Sequence, residues 1–125
     1  MLMKKNITIV IPSYNEESNI EKLLECLNEV IATLDYNFKI LFVDDGSRDG
    51  TISKLKNLAR EQHNLFYIEL SRNFGHQNAI KAGLDASDAD VIIMMDCDLQ
   101  HPPSLIKELL KHYELGYDIV RTNRV

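Results

Sequence analysis

The sequence predicts an α/β domain, a mostly parallel sheet with helices on both faces, and three features lead there. Short apolar, β-branched runs alternate from end to end with stretches whose apolar residues recur at the helical period. Each run gives way to a polar, turn-forming cluster, and the gaps between runs hold a crossover helix. That is the pattern of βαβ units with right-handed connections. A chain of 125 residues is one domain, with a core of its own and no room for a second.

The elements follow in order. Ile7 to Ile11 reads as a first buried strand, stopped by Pro12, and Pro12-Ser13-Tyr14-Asn15-Glu16 as a polar turn. Ile20, Leu23, Leu24, Leu27, Val30, Ile31 and Leu34 then form one helical stripe. Phe38 to Val43 is a second strand, ending in a turn-rich segment from Asp44 to Thr51 in which Asp49 can cap the next helix. Ile52, Leu55, Leu58 and Ala59 give that helix its buried side. Leu65 to Leu70 is a third strand and Ser71 to His76 a loop, followed by a helix from about Gln77 to Asp85 whose Ala79, Ile80, Ala82 and Gly83 suit close packing. Val91 to Met95 reads as a strand buried on both faces. Pro102 and Pro103 suit the first turn of a fourth helix carrying Leu105, Ile106, Leu109, Leu110 and Tyr113. Tyr117 to Arg121 is a fifth strand.

Composition removes several classes of function. The net charge is -5 and no Lys/Arg stripe is present, so nucleic acid has no electrostatic footprint to bind. Cys26 and Cys97 are far apart and match no zinc or redox spacing, which suits a reducing cytoplasm. No apolar run approaches the roughly 18 residues of a membrane span. A soluble, cytoplasmic chain is the expectation.

The polar clusters Pro12 to Glu16, Asp44 to Asp49, Ser71 to His76 and Asp96 to His101 each follow a strand, so a parallel sheet brings them to one edge. Ligands bind at that carboxyl edge in open α/β sheets. Asp96 and Asp98 lie two residues apart there, and a hard divalent cation is their natural partner, its shell completed by phosphates and water. The first turn lacks Gly-x-Gly-x-x-Gly, and no phosphate-cradling Gly-x-x-x-x-Gly-Lys-Ser/Thr occurs. Side chains must then hold a nucleotide: Tyr14 as a surface for the base, Asp45 to accept from it, and the Asp96/Asp98 pair with a metal for the phosphates.

Taken together, Ile9-Val10-Ile11-Pro12-Ser13-Tyr14-Asn15-Glu16-Glu17, Val43-Asp44-Asp45-Gly46-Ser47 with Asp49-Gly50-Thr51, Ser71-Arg72-Asn73-Phe74-Gly75 with Ala79 and Ala82-Gly83, and Met95-Asp96-Cys97-Asp98-Leu99-Gln100-His101-Pro102-Pro103 resemble the motif series of family 2 glycosyltransferases. The branch resembled is that of the polyprenyl-phosphate, dolichyl-phosphate mannosyltransferase-like enzymes. The likeness covers essentially the whole chain. It implies the Rossmann-like GT-A fold and transfer of a sugar, with inversion, from a UDP- or GDP-sugar to a polyprenyl phosphate. By the same resemblance Pro12, Tyr14 and Glu16 line the nucleoside pocket, Val43 flanks the base and Asp45 bonds it. Asp98 coordinates Mg²⁺ or Mn²⁺, Asp96 reaches ribose or a metal-bound water, and the two aspartates are the catalytic pair. Gln100 falls on a donor-contacting position. Cys97, between the aspartates, replaces the usual Ala and belongs to the nucleotide-binding stretch.

The resemblance also implies an acceptor-side segment, and often membrane helices, after the catalytic domain. Residues 1–125 are expected to be its N-terminal, donor-binding part, inactive alone, with the parent at the cytoplasmic face of a membrane. Other readings stay open. Asp44 and Asp45 also fit a helix-capping turn, Tyr14 a packing residue, Arg72 and Asn73 a solvated loop, and His76 and His101 solvated or capping positions. A nucleotide-binding module without catalysis, and a family 2 transferase acting on a saccharide hydroxyl, are the alternative functions. A phosphorylation-switch receiver would need an acidic pair after the first strand and a lysine after the fifth, where this chain has Pro12 and Thr122-Asn123-Arg124. Nucleotide-sugar pyrophosphorylases open on Gly-x-Gly-Thr-Arg, which is absent.

Overall fold

The computed structural model describes residues 4–97 and 103–114. Strands β1 (Asn6–Ser13), β2 (Asn37–Asp44), β3 (Leu65–Glu69) and β4 (Val91–Met94) alternate with helices α1 (Ile20–Ile31), α2 (Thr51–Glu61), α3 (His76–Ala86) and α4 (Leu105–Glu114). The strands form one parallel sheet in the order β3-β2-β1-β4. The chain therefore moves outward from β1 through β3 and returns across the sheet to place β4 on the other side of β1. Between β1 and β4 the direction of winding reverses, and the crevice above such a point is where doubly wound sheets bind ligands. The fifth strand expected over Tyr117 to Arg121 lies outside the described residues, as do Asp98, Gln100, His101 and Pro102.

Side-chain alternation divides the core between the two faces. Ile7, Ile9 and Ile11 of β1, Ile40 and Phe42 of β2 and Ile93 of β4 pack with Leu23 and Leu27 of α1, Leu55 of α2 and Ile106 of α4. Val10, Leu41 and Val43 point the other way, against Ala79 of α3. The approach of α3 is close because Gly83 has no side chain: a Cβ there would stand 2.4 Å from Val10 Cγ1 and 3.2 Å from Val43 Cγ2.

Three local expectations change. Pro12 does not end β1, which runs to Ser13. Val10 accepts from Met95 and Ser13 from Asp45, so Pro12 faces the β4 side, where the ladder has already stopped at Met94. Its missing N–H interrupts nothing. Helix α1 stops at Ile31 although its apolar stripe reaches Leu34, because Thr33 and Leu34 donate to Val30 and Ile31 in tight three-residue turns. Strand β4 is not buried on both faces: Met94 is 52% exposed. Helix α3 lies chiefly over β1 and β2, and on that side of β4 Ile92 packs against the α3 cluster while Met94 stands exposed. Among the described residues no helix is long and apolar enough to cross a membrane.

Candidate functional site

The loops after β1 and β2 fix each other. Asn15 takes a left-handed conformation, φ 52°, which its short polar side chain tolerates. Its amide donates to Ser47 Oγ at 2.8 Å, and its Oδ1 accepts the Arg48 amide at 2.9 Å. Next in line, the Glu16 amide donates to Thr51 Oγ1 at 3.0 Å while the Glu16 carboxylate accepts from the Asn19 side chain. Glu17 Oε1 accepts the Gly50 amide at 2.8 Å. Asp49 accepts both the amide and the hydroxyl of Thr51, and so caps α2 from one position before its N-cap, Gly50. Slight desolvation pushes the carboxyl of the exposed Asp49 up. The Thr51 hydroxyl, the Thr51 amide and the Glu17 amide together outweigh it and hold the group below its ordinary value.

The paired aspartates after β2 do different things. Asp44 is 1% exposed; its Oδ2 accepts the Ser47 amide at 3.2 Å, a local turn of the kind expected of a capping aspartate. Its buried Oδ1 has no hydrogen-bond partner among the described residues. Asp45, 5% exposed, reaches the third loop instead, with Oδ1 accepting the Phe74 amide at 2.8 Å and Oδ2 the Gly75 amide at 3.2 Å. Gly46 makes that approach possible: at φ +74° it lies so near the loop that a Cβ would fall 2.4 Å from the Arg72 carbonyl carbon. Asn73 Oδ1 also accepts from Gly75 at 3.0 Å, and the Asn78 side chain donates to the Phe74 carbonyl at 2.7 Å. The Arg72 guanidinium stacks on the Phe74 ring, 4.6 Å from its centroid.

These loops surround a cleft of about 480 Å³. Pro12, Ser13, Tyr14 and Glu16 come from the end of β1, Asp45 from β2, Asn73, Gly75, His76 and Ala79 from the third loop and α3, and Asp96 and Cys97 from the end of β4. Tyr14 is 41% exposed, an aromatic face in reach of a ligand, and Asp96 is partly buried. Of the residues expected at the site, Pro12, Tyr14, Glu16, Asp45, Asp96 and Cys97 converge on this cleft. Val43 does not: it is fully buried beneath α3, packed with Val10, Leu41 and Ala79. Its side chain, expected beside the base, belongs to the core under α3 and not to the described lining of the cleft. Asp98 and Gln100 lie outside the described residues.

Sequence reasoning missed Ser13, Gly75 and Ala79, and weighed His76 as a solvated or capping residue. His76 and Ala79 stand three apart at the start of α3, a spacing that puts both on one face, and that face turned toward the strand ends was the available signal.

The lining offers oxygen donors, the His76 imidazole and the thiol of the buried Cys97, with three carboxylates, Glu16, Asp45 and Asp96. Among the described residues no group of three or more His, Cys, Asp or Glu side chains is arranged to hold a metal. The carboxylates on the lining fit a hard divalent cation, which takes one or two protein carboxylates and finishes its shell with phosphate oxygens and water.

Comparison with known proteins agrees with this geometry. Among curated relatives, a Synechocystis protein named "Uncharacterized glycosyltransferase sll0501" is 42% identical over 122 residues, which are 98% of this chain and 38% of that one. The undecaprenyl-phosphate 4-deoxy-4-formamido-L-arabinose transferase of Pseudomonas fluorescens is 41% identical over 119 residues, 94% of this chain and 35% of that one. The chain thus spans little more than a third of the length of the curated relatives it matches. Among solved structures, the mannosyltransferase PcManGT of Pyrobaculum calidifontis, in complex with GDP-Man and Mn²⁺, superposes with a TM-score of 0.67 at 25% identity, covering 82% of this chain and 30% of that one. Staphylococcus aureus TarS 1–349 with UDP-GlcNAc gives 0.68 at 23% identity, covering 88% and 31%, a likeness of fold alone. The family model for glycosyl transferase family 2 matches residues 8–125, from β1 through every cleft-forming loop. On that match, with a GT-A sheet and a carboxylate-lined cleft at its carboxyl edge, the chain belongs to glycosyl transferase family 2.

Proposed function

We propose that this chain is the donor-binding part of an inverting glycosyltransferase that moves a sugar from a nucleoside-diphosphate sugar to a polyprenyl phosphate. The observation that carries the reading is the convergence of Tyr14, Glu16, Asp45 and Asp96, from three separate strand ends, on one cleft. The undecaprenyl-phosphate transferase named among the relatives supports the acceptor class.

In this reading Pro12 and Tyr14 flank the nucleoside, and Glu16 borders it in an orientation set by Asn19 and Thr51. Both oxygens of Asp45 already accept backbone amides, yet each keeps a second lone pair for a base N–H. Asp98 would hold the divalent cation, Mg²⁺ or Mn²⁺, and Asp96 would bond ribose or a water on that cation. A divalent cation supplies charge neutralisation for the departing nucleoside diphosphate. A phosphate oxygen of the acceptor forms a bond to the anomeric carbon from the face opposite the donor oxygen, and the electron pair of the breaking bond leaves with the nucleoside diphosphate. The attacking oxygen is already anionic, so a strong base is dispensable. Acceptor binding belongs to the whole protein, acting at the cytoplasmic face of a membrane.

A thermal-shift panel of UDP, GDP and their sugars, with and without Mn²⁺, tests this on wild type and Asp98→Ala. A ligand that binds only the folded state raises the melting temperature. The expected result is stabilisation by a nucleoside diphosphate that requires metal and vanishes in the variant. Metal-independent stabilisation unchanged by Asp98→Ala contradicts it.

A further inference from the structure

The cleft has an imbalance of charge that the donor-binding reading alone leaves unresolved. Glu16, Asp45 and Asp96 contribute carboxylates to its lining, and a nucleoside diphosphate brings further negative charge into the same space. A single divalent cation offsets only part of this. Arg72 does not line the cleft; it stacks on Phe74. Among the described lining residues His76 is the one basic side chain.

His76 is also unusually well placed. It opens α3 directly after Gly75, whose φ of +99° turns the chain into the helix. Both preceding amides, Phe74 and Gly75, are held by the Asp45 carboxylate, and the Phe74 carbonyl is tied to the first turn of α3 by Asn78. The backbone is thus fixed on both sides of His76. Its side chain is exposed, and among the described residues no hydrogen bond occupies its ring.

We propose that His76 is a donor-recognition residue whose imidazole donates a hydrogen bond to the diphosphate of a nucleoside diphosphate in the cleft, and that Asp45 is the positioning residue that presents it. The proposal rests on the donor-binding reading and adds to it a protein group that reads phosphate. It also gives Asp45 a second task besides the base.

Titrations of the protein with uridine, UMP and UDP, and with guanosine, GMP and GDP, all in Mg²⁺, separate the two claims. Losing one hydrogen bond to a charged group is expected to weaken binding roughly ten-fold. His76→Ala should therefore weaken the diphosphate of the preferred base about ten-fold and leave its nucleoside unchanged, while His76→Lys, which keeps a donor, restores the diphosphate. Asp45→Asn should make the further His76→Ala change cost less than it does in wild type, the non-additivity expected of coupled residues. If wild type binds the diphosphate and His76→Ala binds it equally, the proposal fails and the donor-binding reading stands. Equal losses for nucleoside and diphosphate also overturn it, since they report a disturbed loop. Strictly additive effects of Asp45→Asn and His76→Ala overturn the positioning role. Wild type that binds none of the six overturns both readings.

Discussion

Two hollows of similar size lie at opposite ends of the strands, about 480 Å³ at the carboxyl end and about 440 Å³ at the amino end. Beside the amino end three carboxamides satisfy one another. Asn28 and Gln62 exchange hydrogen bonds at 3.1 Å in both directions, and Gln62 donates a further bond to Asn64 at 2.7 Å. These carboxamides join α1, the end of α2 and the start of β3, and Asn28 and Asn64 line the hollow together with Tyr36, Phe38, Phe66, Lys39 and His63. Among the described residues no carboxylate lines it. At the carboxyl end the polar side chains bond to backbone instead: Asn15 to Arg48, Glu17 to Gly50, Asp45 to Phe74 and Gly75. Size does not distinguish the two. What does is that, among the described residues, only the carboxyl end lines its space with carboxylates, on loops whose polar side chains hold one another's backbone, whereas the basic Lys39 and His63 line the amino end.

Substitutions break this contrast in order of expected effect. Gly46→Ala should be the most damaging, because it adds a Cβ at positive φ and drives it into the Arg72 backbone. A loss of roughly 2–4 kcal/mol is expected from strain and overpacking, read by urea denaturation, together with loss of nucleotide binding. Asn15→Ala should cost about 1–2 kcal/mol, from the left-handed backbone and the lost Arg48 bond, and Asn15→Gly less. Gln62→Ala at the amino end should cost about 1 kcal/mol and leave nucleotide affinity untouched, which separates the two ends most cleanly.

The smallest effect concerns Asp49. Its folded-state carboxyl lies below the ordinary value, so the folded chain takes up that proton less readily than the unfolded one. Its contribution is complete above the ordinary aspartate range and is lost as pH falls through that range toward the folded value. Denaturation midpoints followed downward in pH should show a decline that Asp49→Asn makes shallower.

Much of this was legible in the sequence, for physical reasons that differ by element. Strand and helix periods report burial directly, so Ile7 to Ile11 and the Ile20 to Ile31 stripe were readable, and the polar clusters after strands fell on one edge because a parallel sheet leaves them no other place. The fate of Val43 was not readable, since a run buried on both faces carries no alternation to say which side each residue takes. Nor was the exposure of Met94 on β4, which depends on where α3 lies. The lacing of Asn15 to Ser47 and Arg48, and of Asp45 to Phe74 and Gly75, joins residues about thirty positions apart and leaves no local period. It required the loops to be seen side by side.

The most direct measurement is a ¹H–¹⁵N correlation spectrum of the chain titrated with UDP or GDP in Mg²⁺. The shifts are expected to concentrate on the amides of Tyr14, Asn15, Phe74, Gly75, His76 and Asp96, with Asn28, His63 and Asn64 at rest. Perturbations gathered at Asn28, His63 and Asn64, or spread evenly over both ends, would place the nucleotide somewhere other than the carboxyl-edge cleft and contradict the account.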